Sequence, residues 1–501
     1  MKTDLFPNAT PESMGISSKS ILKFLKKLEK NGTMVHSVLM MRRGHVVTEG
    51  YYAPFTQNGL HRKYSVSKSF VGTAVGFLAD EGRIKLDDHI CDYFKDKLPE
   101  NPHPYILDMR IRDLLMMSTT YSGTTYKRDD KDWAWTFFNT APSHPAGTIY
   151  SYDTSASYVL GVLVERITGK PFLEYLKDKG LREMGFSEEA WCVKAPEGNS
   201  WGGSGVMCTT RDLARLALLY LNKGNIGGKQ YLSREYVKAA TSRQIDNCTN
   251  GHRDYMSGNG YGYQIRLLRD GAYAFCGMGM QLAIIVPKEE LVFVCTGDVQ
   301  GSAQVYAGMF ELLWNEIIEE LHPDSLPEDK MSARQLEDML STLQVVNPLI
   351  GKNTSPISEV INGQSYKLYP NPMGIDKISV SFEEEVGLLT LEKKEGNKTI
   401  SFGLDNYIEG YFPESHYYGD TIGIPKDEMY KCIGVSRWTE ENKLVIRCYV
   451  IDDYFGNMTI TLGFKGKELG LYMSKTAEWF LDEYQGFAGG YLIEEKKISY
   501  P

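Results

Sequence analysis

Several familiar features are missing from this 501-residue chain, and each absence removes a class of function. No run approaches 18 uninterrupted apolar residues, which argues against a membrane-spanning helix. No basic stripe interrupts a formal charge of −9, so nucleic acid is not an expected partner. The eight cysteines and nine histidines are scattered, with neither Cys-x-x-Cys nor His-Glu-x-x-His. That pattern supplies no disulfide framework and no metal-ligand spacing, and no metal or organic cofactor is expected. The opening segment Met1-Lys2-Thr3-Asp4-Leu5-Phe6-Pro7 lacks the apolar core of a signal peptide. The expected setting is therefore cytoplasmic, with reduced thiols.

What is present is an ordinary globular composition, 42% hydrophobic and 24% charged, in a chain longer than one hydrophobic core usually supports. Two domains are expected. Val38–Arg42 and His45–Tyr51 read as strands around an Arg43-Gly44 hairpin turn. From about 84 to 230 the periodicity is mainly helical, with Ile111–Met117 and Ser155–Ile167 apolar-periodic and Thr209-Thr210-Arg211-Asp212 capping another helix. Strand character returns at Tyr261–Leu268, Ala272–Cys276, Gln281–Val286 and Leu291–Cys295, and a helix follows over about 303–320. Strands that bracket a helical middle predict an α/β (α+β) domain over residues 1–330, an antiparallel sheet flanked by helices with a helical subdomain. Residues 331–356 read as a linker with a short helix near Ala333–Leu343. Eight short strands between Ser365 and Met473 make 357–501 an all-β domain, a barrel or sandwich expected to shape or cover a site on the first.

Chemistry concentrates at Tyr64-Ser65-Val66-Ser67-Lys68-Ser69-Phe70. The apolar positions that follow predict a helix, and Ser65 in its first turn puts Lys68 one turn along on the same face. An amine held there can activate a serine hydroxyl, and the helix N-terminus offers backbone N–H groups to an oxyanion. Spacing alone is weak. Ser20-Ile21-Leu22-Lys23 has it too, inside an amphipathic helix where Ser20 is a solvated residue. A second proton carrier is offered by Tyr152, just ahead of the helix near Ser155. Ionising a tyrosine at neutral pH costs roughly 4 kcal/mol, and an ammonium at about 4 Å in an effective dielectric of about 20 returns a similar amount. Lys68 is therefore expected to make Tyr152 a workable base. Glycines in Phe275-Cys276-Gly277-Met278-Gly279 mark a close backbone approach. A strand edge there would pair the Met278 N–H with that of Ser65 as an oxyanion hole.

Seven segments in register resemble the serine beta-lactamase-related hydrolases, a family that includes class C beta-lactamases, penicillin-binding DD-peptidases, D-aminopeptidases, esterases and 6-aminohexanoate-dimer hydrolases. They are Thr10–Gly15, Tyr64–Phe70, Gly76–Asp88, Ile111–Ser118, Gly147–Gly161, Gly202–Leu216 and Gly277–Pro287. The resemblance implies Ser65 as nucleophile, Lys68 as its activator and Tyr152 as general base and leaving-group acid, with Thr154, Cys276, Gly277 and Gly279 along the substrate. Two departures stand out. Tyr-x-Asn becomes Tyr152-Asp153-Thr154, and the Lys/His-Thr-Gly element becomes Phe275-Cys276-Gly277, without its cation. The second departure favours the esterase and amide-hydrolase branch over beta-lactam or DD-peptide turnover. Cys276 reads as a packing residue. The C-terminal strands resemble lipocalin-like barrels attached to D-aminopeptidase relatives.

The expected activity is hydrolysis of an ester or amide of a small molecule or short peptide through an acyl-enzyme. The alternatives are a catalytically silent ligand-binding relative and a true beta-lactamase or DD-peptidase. Gly198-Asn199-Ser200-Trp201-Gly202 also fits the nucleophile elbow of another hydrolase fold, but Val193–Glu197 makes a poor central strand before it.

Overall fold

The computed structural model describes residues 6–127, 129–248, 251, 254–255, 257–414, 422, 429–476 and 480–493. They form two compact units, residues 1–344 with 421–423 and residues 345–420 with 424–501.

In the first unit, six strands make one antiparallel sheet: β1 (Val35–Arg42), β2 (His45–Tyr51), β3 (Arg266–Leu267), β4 (Tyr273–Gly277), β5 (Gln281–Val286) and β6 (Leu291–Gly297). Their spatial order is β2-β1-β6-β5-β4-β3. The β1–β2 hairpin turns through Arg43 and Gly44, both at positive φ, the geometry that matches strand twist in a two-residue loop. Every residue of β1, β5 and β6 is buried, as expected of central strands covered on both faces.

Those covers are helical. On one face, Phe24 of α1 (Ser18–Lys30) packs edge-on against Phe293 at 5.6 Å. The helical middle centres on α2 (Ser67–Asp80), whose residues Ser67 to Leu78 are all buried. It packs on α3 (Thr154–Thr168). On the other face of the sheet, Thr210 of α4 (Thr210–Leu221) hydrogen-bonds Ser37 at 2.7 Å, and Tyr220 meets the Phe275 ring edge-on at 5.2 Å. The Thr209–Asp212 capping box starts this helix as the sequence predicts. Helices α5 (Ala303–Leu313) and α6 (Lys330–Ser341) also belong to this unit, the latter packing against α1.

The expected long strand Tyr261–Leu268 is reduced to Arg266–Leu267. Gly260 and Gln264 both sit at positive φ, so the chain turns back on itself there and Tyr261 bridges both Ile245 and Arg266. The Gln264 side chain donates to the Leu114 and Leu115 carbonyls and accepts from Ser157, while its own backbone carbonyl accepts from Ser69. A polar side chain satisfied in this way ties α2 and α3 to the loop beneath the cleft.

The second unit carries a ten-stranded sheet between Gln364 and Leu492. A parallel bridge between Gly403 and Val435 joins the end strand Gly396–Gly403 to the next-to-last strand Tyr430–Glu440, closing nine of the strands into a barrel with Ile408–Phe412 paired outside the closure. Burial alternates along Lys443–Ile451 and Glu468–Thr476, placing Leu444, Ile446, Leu471 and Met473 inside. Two strands beyond the eight expected, Ile408–Phe412 and Gly486–Leu492, contain one and three glycines respectively, which dilute strand character in the sequence.

Candidate active site

Ser65 lies in a single 3-10 turn, Tyr64–Val66, that runs directly into α2. Tyr64, fully buried, holds φ +46, a left-handed conformation that a bulky residue adopts only under constraint. The constraint is visible on both sides. Upstream, His61–Arg62 pairs with Val206–Cys208, and the Lys63 amide donates to the Val206 carbonyl at 2.8 Å. Downstream, the Ser67 hydroxyl accepts from the Val206 amide at 2.9 Å. The chain is thus pinned immediately before and after the serine.

Lys68 is buried and donates from Nζ to Ser65 Oγ at 3.1 Å and to the Gly203 carbonyl at 2.6 Å. The second bond aims the amine. Gly203 can approach because it has no side chain: a Cβ would fall 2.5 Å from Thr154 Cγ2 and 2.9 Å from the Thr154 carbonyl oxygen.

Tyr152 enters from the loop ahead of α3. The Ser65 hydroxyl hydrogen-bonds its phenol, and Lys68 Nζ stands 5.1 Å from its ring centroid. Asp153 fixes this approach by capping α3. Its buried carboxylate accepts from the amides of Ser155 at 2.8 Å and Ala156 at 3.3 Å, from the Ser155 hydroxyl, and from Thr119 Oγ1 at 3.0 Å. Burial pushes the Asp153 carboxyl up to about 6 despite these donors. Thr154 is the first helical residue, its amide bonded to Thr124 Oγ1 and its methyl against Gly203.

The facing wall is the end of β4. A Cβ on Gly277 would sit 2.4 Å from the Lys63 carbonyl oxygen and 3.2 Å from the Val66 amide, so the glycine is what lets this strand lie against the Ser65 turn. Met278 follows it with its side chain partly exposed. Gly279 at φ +74 turns the chain toward β5. Cys276 is half-buried and its thiol is pushed up to about 11 by burial, leaving it protonated at neutral pH.

The electrostatics of Tyr152 differ from the expectation that Lys68 holds its phenol down. Burial instead raises it above its ordinary value, and the leading opposing charge is Arg266. Arg266 is absent from the residues that the sequence nominates, yet the Arg269-Asp270-Gly271 turn carries the signal. A hairpin closing there pairs Arg266 with Ala274, as observed, and alternation places it on the same face as Cys276.

The rival serine is not built for catalysis. Ser200 is 1% exposed, its amide donates to Glu165 at 3.3 Å and its hydroxyl accepts from Lys194 at 3.2 Å. The strand that precedes it, Trp191–Cys192, is two residues long and ends well before the serine, which itself makes only an isolated bridge with Lys194. Among the described residues, no cluster of three His, Cys, Asp or Glu side chains could hold a metal, and no helix is long and apolar enough to cross a membrane.

Comparison with known proteins converges on the same region. A family model described as beta-lactamase matches residues 26–312. A 6-aminohexanoate-dimer hydrolase from Paenarthrobacter ureafaciens is 28% identical over 271 residues, spanning 50% of this chain and 67% of that protein. A provisionally assigned 6-aminohexanoate-dimer hydrolase from Bacillus anthracis superposes with a TM-score of 0.51 at 22% identity, covering 65% of this chain and 90% of the other. A provisionally assigned beta-lactamase from Bacteroides dorei DSM 17855 gives 0.50 at 15% identity, with 60% and 98% covered. At these identities the superpositions speak for the fold, whereas the family model reaches over more than half of the chain: this chain belongs to the beta-lactamase family and is a serine hydrolase.

Proposed function

We propose that this hydrolase cleaves an ester or amide of a small molecule or short peptide through an acyl-enzyme on Ser65, with Lys68 and Tyr152 as its proton machinery. The observation that carries the reading is a continuous hydrogen-bond chain, Lys68 Nζ to Ser65 Oγ at 3.1 Å and Ser65 onward to the Tyr152 phenol. As Ser65 Oγ bonds to the substrate carbonyl carbon, its proton passes to the phenolate oxygen of Tyr152, which becomes the neutral phenol, and the carbonyl π pair moves onto oxygen. The N–H groups of Ser65 and Met278 receive that oxyanion. When the carbonyl re-forms, the bond to the leaving alkoxide or amine breaks and Tyr152 returns the proton to it. Water repeats the cycle to release the acid. Lys68 keeps the serine oxygen oriented and supplies positive charge while the phenolate exists. Thr154, Cys276, Gly277 and Gly279 line the path of the substrate.

Within this class, amides of linear ω-amino acids are the first candidates, because the Paenarthrobacter relative is named for a 6-aminohexanoate dimer. The absence of a cation at Phe275 places beta-lactams lower. The test is a panel of p-nitrophenyl esters, 6-aminohexanoate dimer, D-amino-acid amides and nitrocefin, run beside a fluorophosphonate probe. Turnover of an ester or amide together with stoichiometric labelling at Ser65 supports the reading. Absence of labelling and of turnover would make the chain a silent ligand-binding relative. Preferential turnover of nitrocefin would move it to the beta-lactamases proper.

A further inference from the structure

The position where the family's third motif carries a cation is occupied by Phe275, fully buried against Tyr220. A cation nevertheless reaches the cleft, by a different route. Arg266 stands on the edge strand β3 opposite Ala274, and strand alternation sends it to the face that carries Cys276. Its guanidinium carbon lies 5.2 Å from the Tyr152 ring centroid and 5.9 Å from that of Tyr261. Tyr150, Tyr306 and the Cys276 thiol are its other titratable neighbours, and Lys68 and Ser65 face Tyr152 from the helical side.

We propose that Arg266 is a positioning residue for the Ser65 chemistry: delivered from the edge strand, its guanidinium takes the place of the third motif's missing cation, setting the plane of the Tyr152 ring and stabilising the phenolate form of Tyr152 that takes up the Ser65 proton. The proposal rests on the Ser65–Lys68–Tyr152 reading and deepens it. Two further considerations support it. Burial raises Tyr152, and Arg266 counters this more strongly than the hydrogen bond from Ser65 does. The residue type also matters, since a planar, permanently charged guanidinium can stack on two rings at once and an ammonium cannot. The remaining neighbours are phenols and a thiol whose own pKa values are all raised. At neutral pH they are uncharged, so they contribute no competing titration there.

The experiment compares the full-length protein with Arg266→Gln and Arg266→Lys. It measures the rate of Ser65 phosphonylation by a neutral alkyl fluorophosphonate from pH 6 to 10, with the adduct located by mass spectrometry, and kcat and KM for neutral p-nitrophenyl acetate. In the wild type the labelling rate should climb with pH along a limb set by Tyr152. In Arg266→Gln that limb should move to higher pH by about one unit or more, the size an adjacent opposite charge commands. Labelling across this range should then fall about tenfold or more, with KM for the neutral ester little changed. Arg266→Lys should lie between the two. Superimposable profiles would overturn the proposal, as would a loss that Arg266→Lys shares in full or one carried mainly by KM, which would mean a merely structural arginine. A wild type that forms no Ser65 adduct at any pH would overturn the catalytic reading itself and this proposal with it, an outcome distinct from unchanged profiles.

Discussion

The two walls of the cleft are assembled on different principles. The wall bearing Ser65 and Lys68 is local: one 3-10 turn and the first turn of α2 set both groups, three residues apart. The wall bearing Gly277, Met278 and Arg266 depends on register. Arg266 arrives only because β3 pairs with β4 at Ala274, and the strand approaches the serine only because Gly277 has no side chain. Local walls can be rebuilt from a motif. Register-dependent walls can exchange one cation for another, from a different strand, while the cleft keeps its charge.

Breaking the local wall should have the largest effect. Ser65→Ala should lower kcat/KM by at least about 10⁴-fold and abolish fluorophosphonate labelling, since no other group can hold the acyl intermediate. Labelling that persisted, or activity within tenfold of wild type, would move the nucleophile elsewhere. Lys68→Met and Tyr152→Phe should each lose about 10²- to 10⁴-fold in kcat. The double variant should be little worse than either single one, because the hydrogen-bond chain works as a unit. Strict additivity in that cycle would separate the two residues and break the proposed relay.

The register-dependent wall should respond more gradually. Gly277→Ala forces a Cβ to within 2.4 Å of the Lys63 carbonyl oxygen, and backbone cannot swing aside as a side chain does. A destabilisation of about 1–3 kcal/mol is expected, with a fall in kcat larger than any rise in KM as Met278 withdraws from the oxyanion. Gly308→Ala is the matched control. It sits inside α5 with no neighbour within 4 Å of the point a Cβ would occupy, so it should hold or gain up to about 1 kcal/mol. Equal urea midpoints for the two variants would show that close approach at Gly277 is not what limits this wall.

The same contrast explains what is legible in the sequence. Ser65 and Lys68 can be placed because helical spacing is a local rule. Tyr152 can be nominated from its family segment, but its surroundings cannot, since burial and Arg266 come from distant chain. Arg266 is within reach of pattern reading through its hairpin turn, and is hidden because Tyr261–Leu268 looks like one uniform strand. Positive φ at Gly260 and Gln264 breaks that strand, a conformation that residue type at Gln264 does not announce. In the second unit, alternation reveals the strands with strong apolar faces, whereas Ile408–Phe412 and Gly486–Leu492 are strands because neighbours pair with them. The closing bridge at Gly403 and Val435 is likewise a property of the assembled sheet.

The smallest effect on catalysis should come from the residue between the walls. Asp153 touches no substrate in this scheme; it caps α3 and so holds Tyr152. Its carboxyl sits at about 6 in the fold, against about 3.9 for an unfolded aspartate. The folded state therefore binds the proton more tightly than the unfolded chain between those values. Its contribution to stability is fully present below about pH 4 and is lost as pH rises through about 6, an amount on the order of 2–3 kcal/mol. Asp153→Asn keeps a cap acceptor for Ser155 and Ala156 and can donate its amide to Thr119, but it cannot titrate. Urea unfolding at pH 5 and pH 8 should show the wild type losing stability across this interval and the variant losing less, so that the gap between them shifts in favour of Asn at pH 8. Activity should change by less than about tenfold, because the asparagine keeps Tyr152 in place. Parallel stability losses in the two proteins would mean that Asp153 is ionised throughout, and that its four donors outweigh the burial that surrounds it.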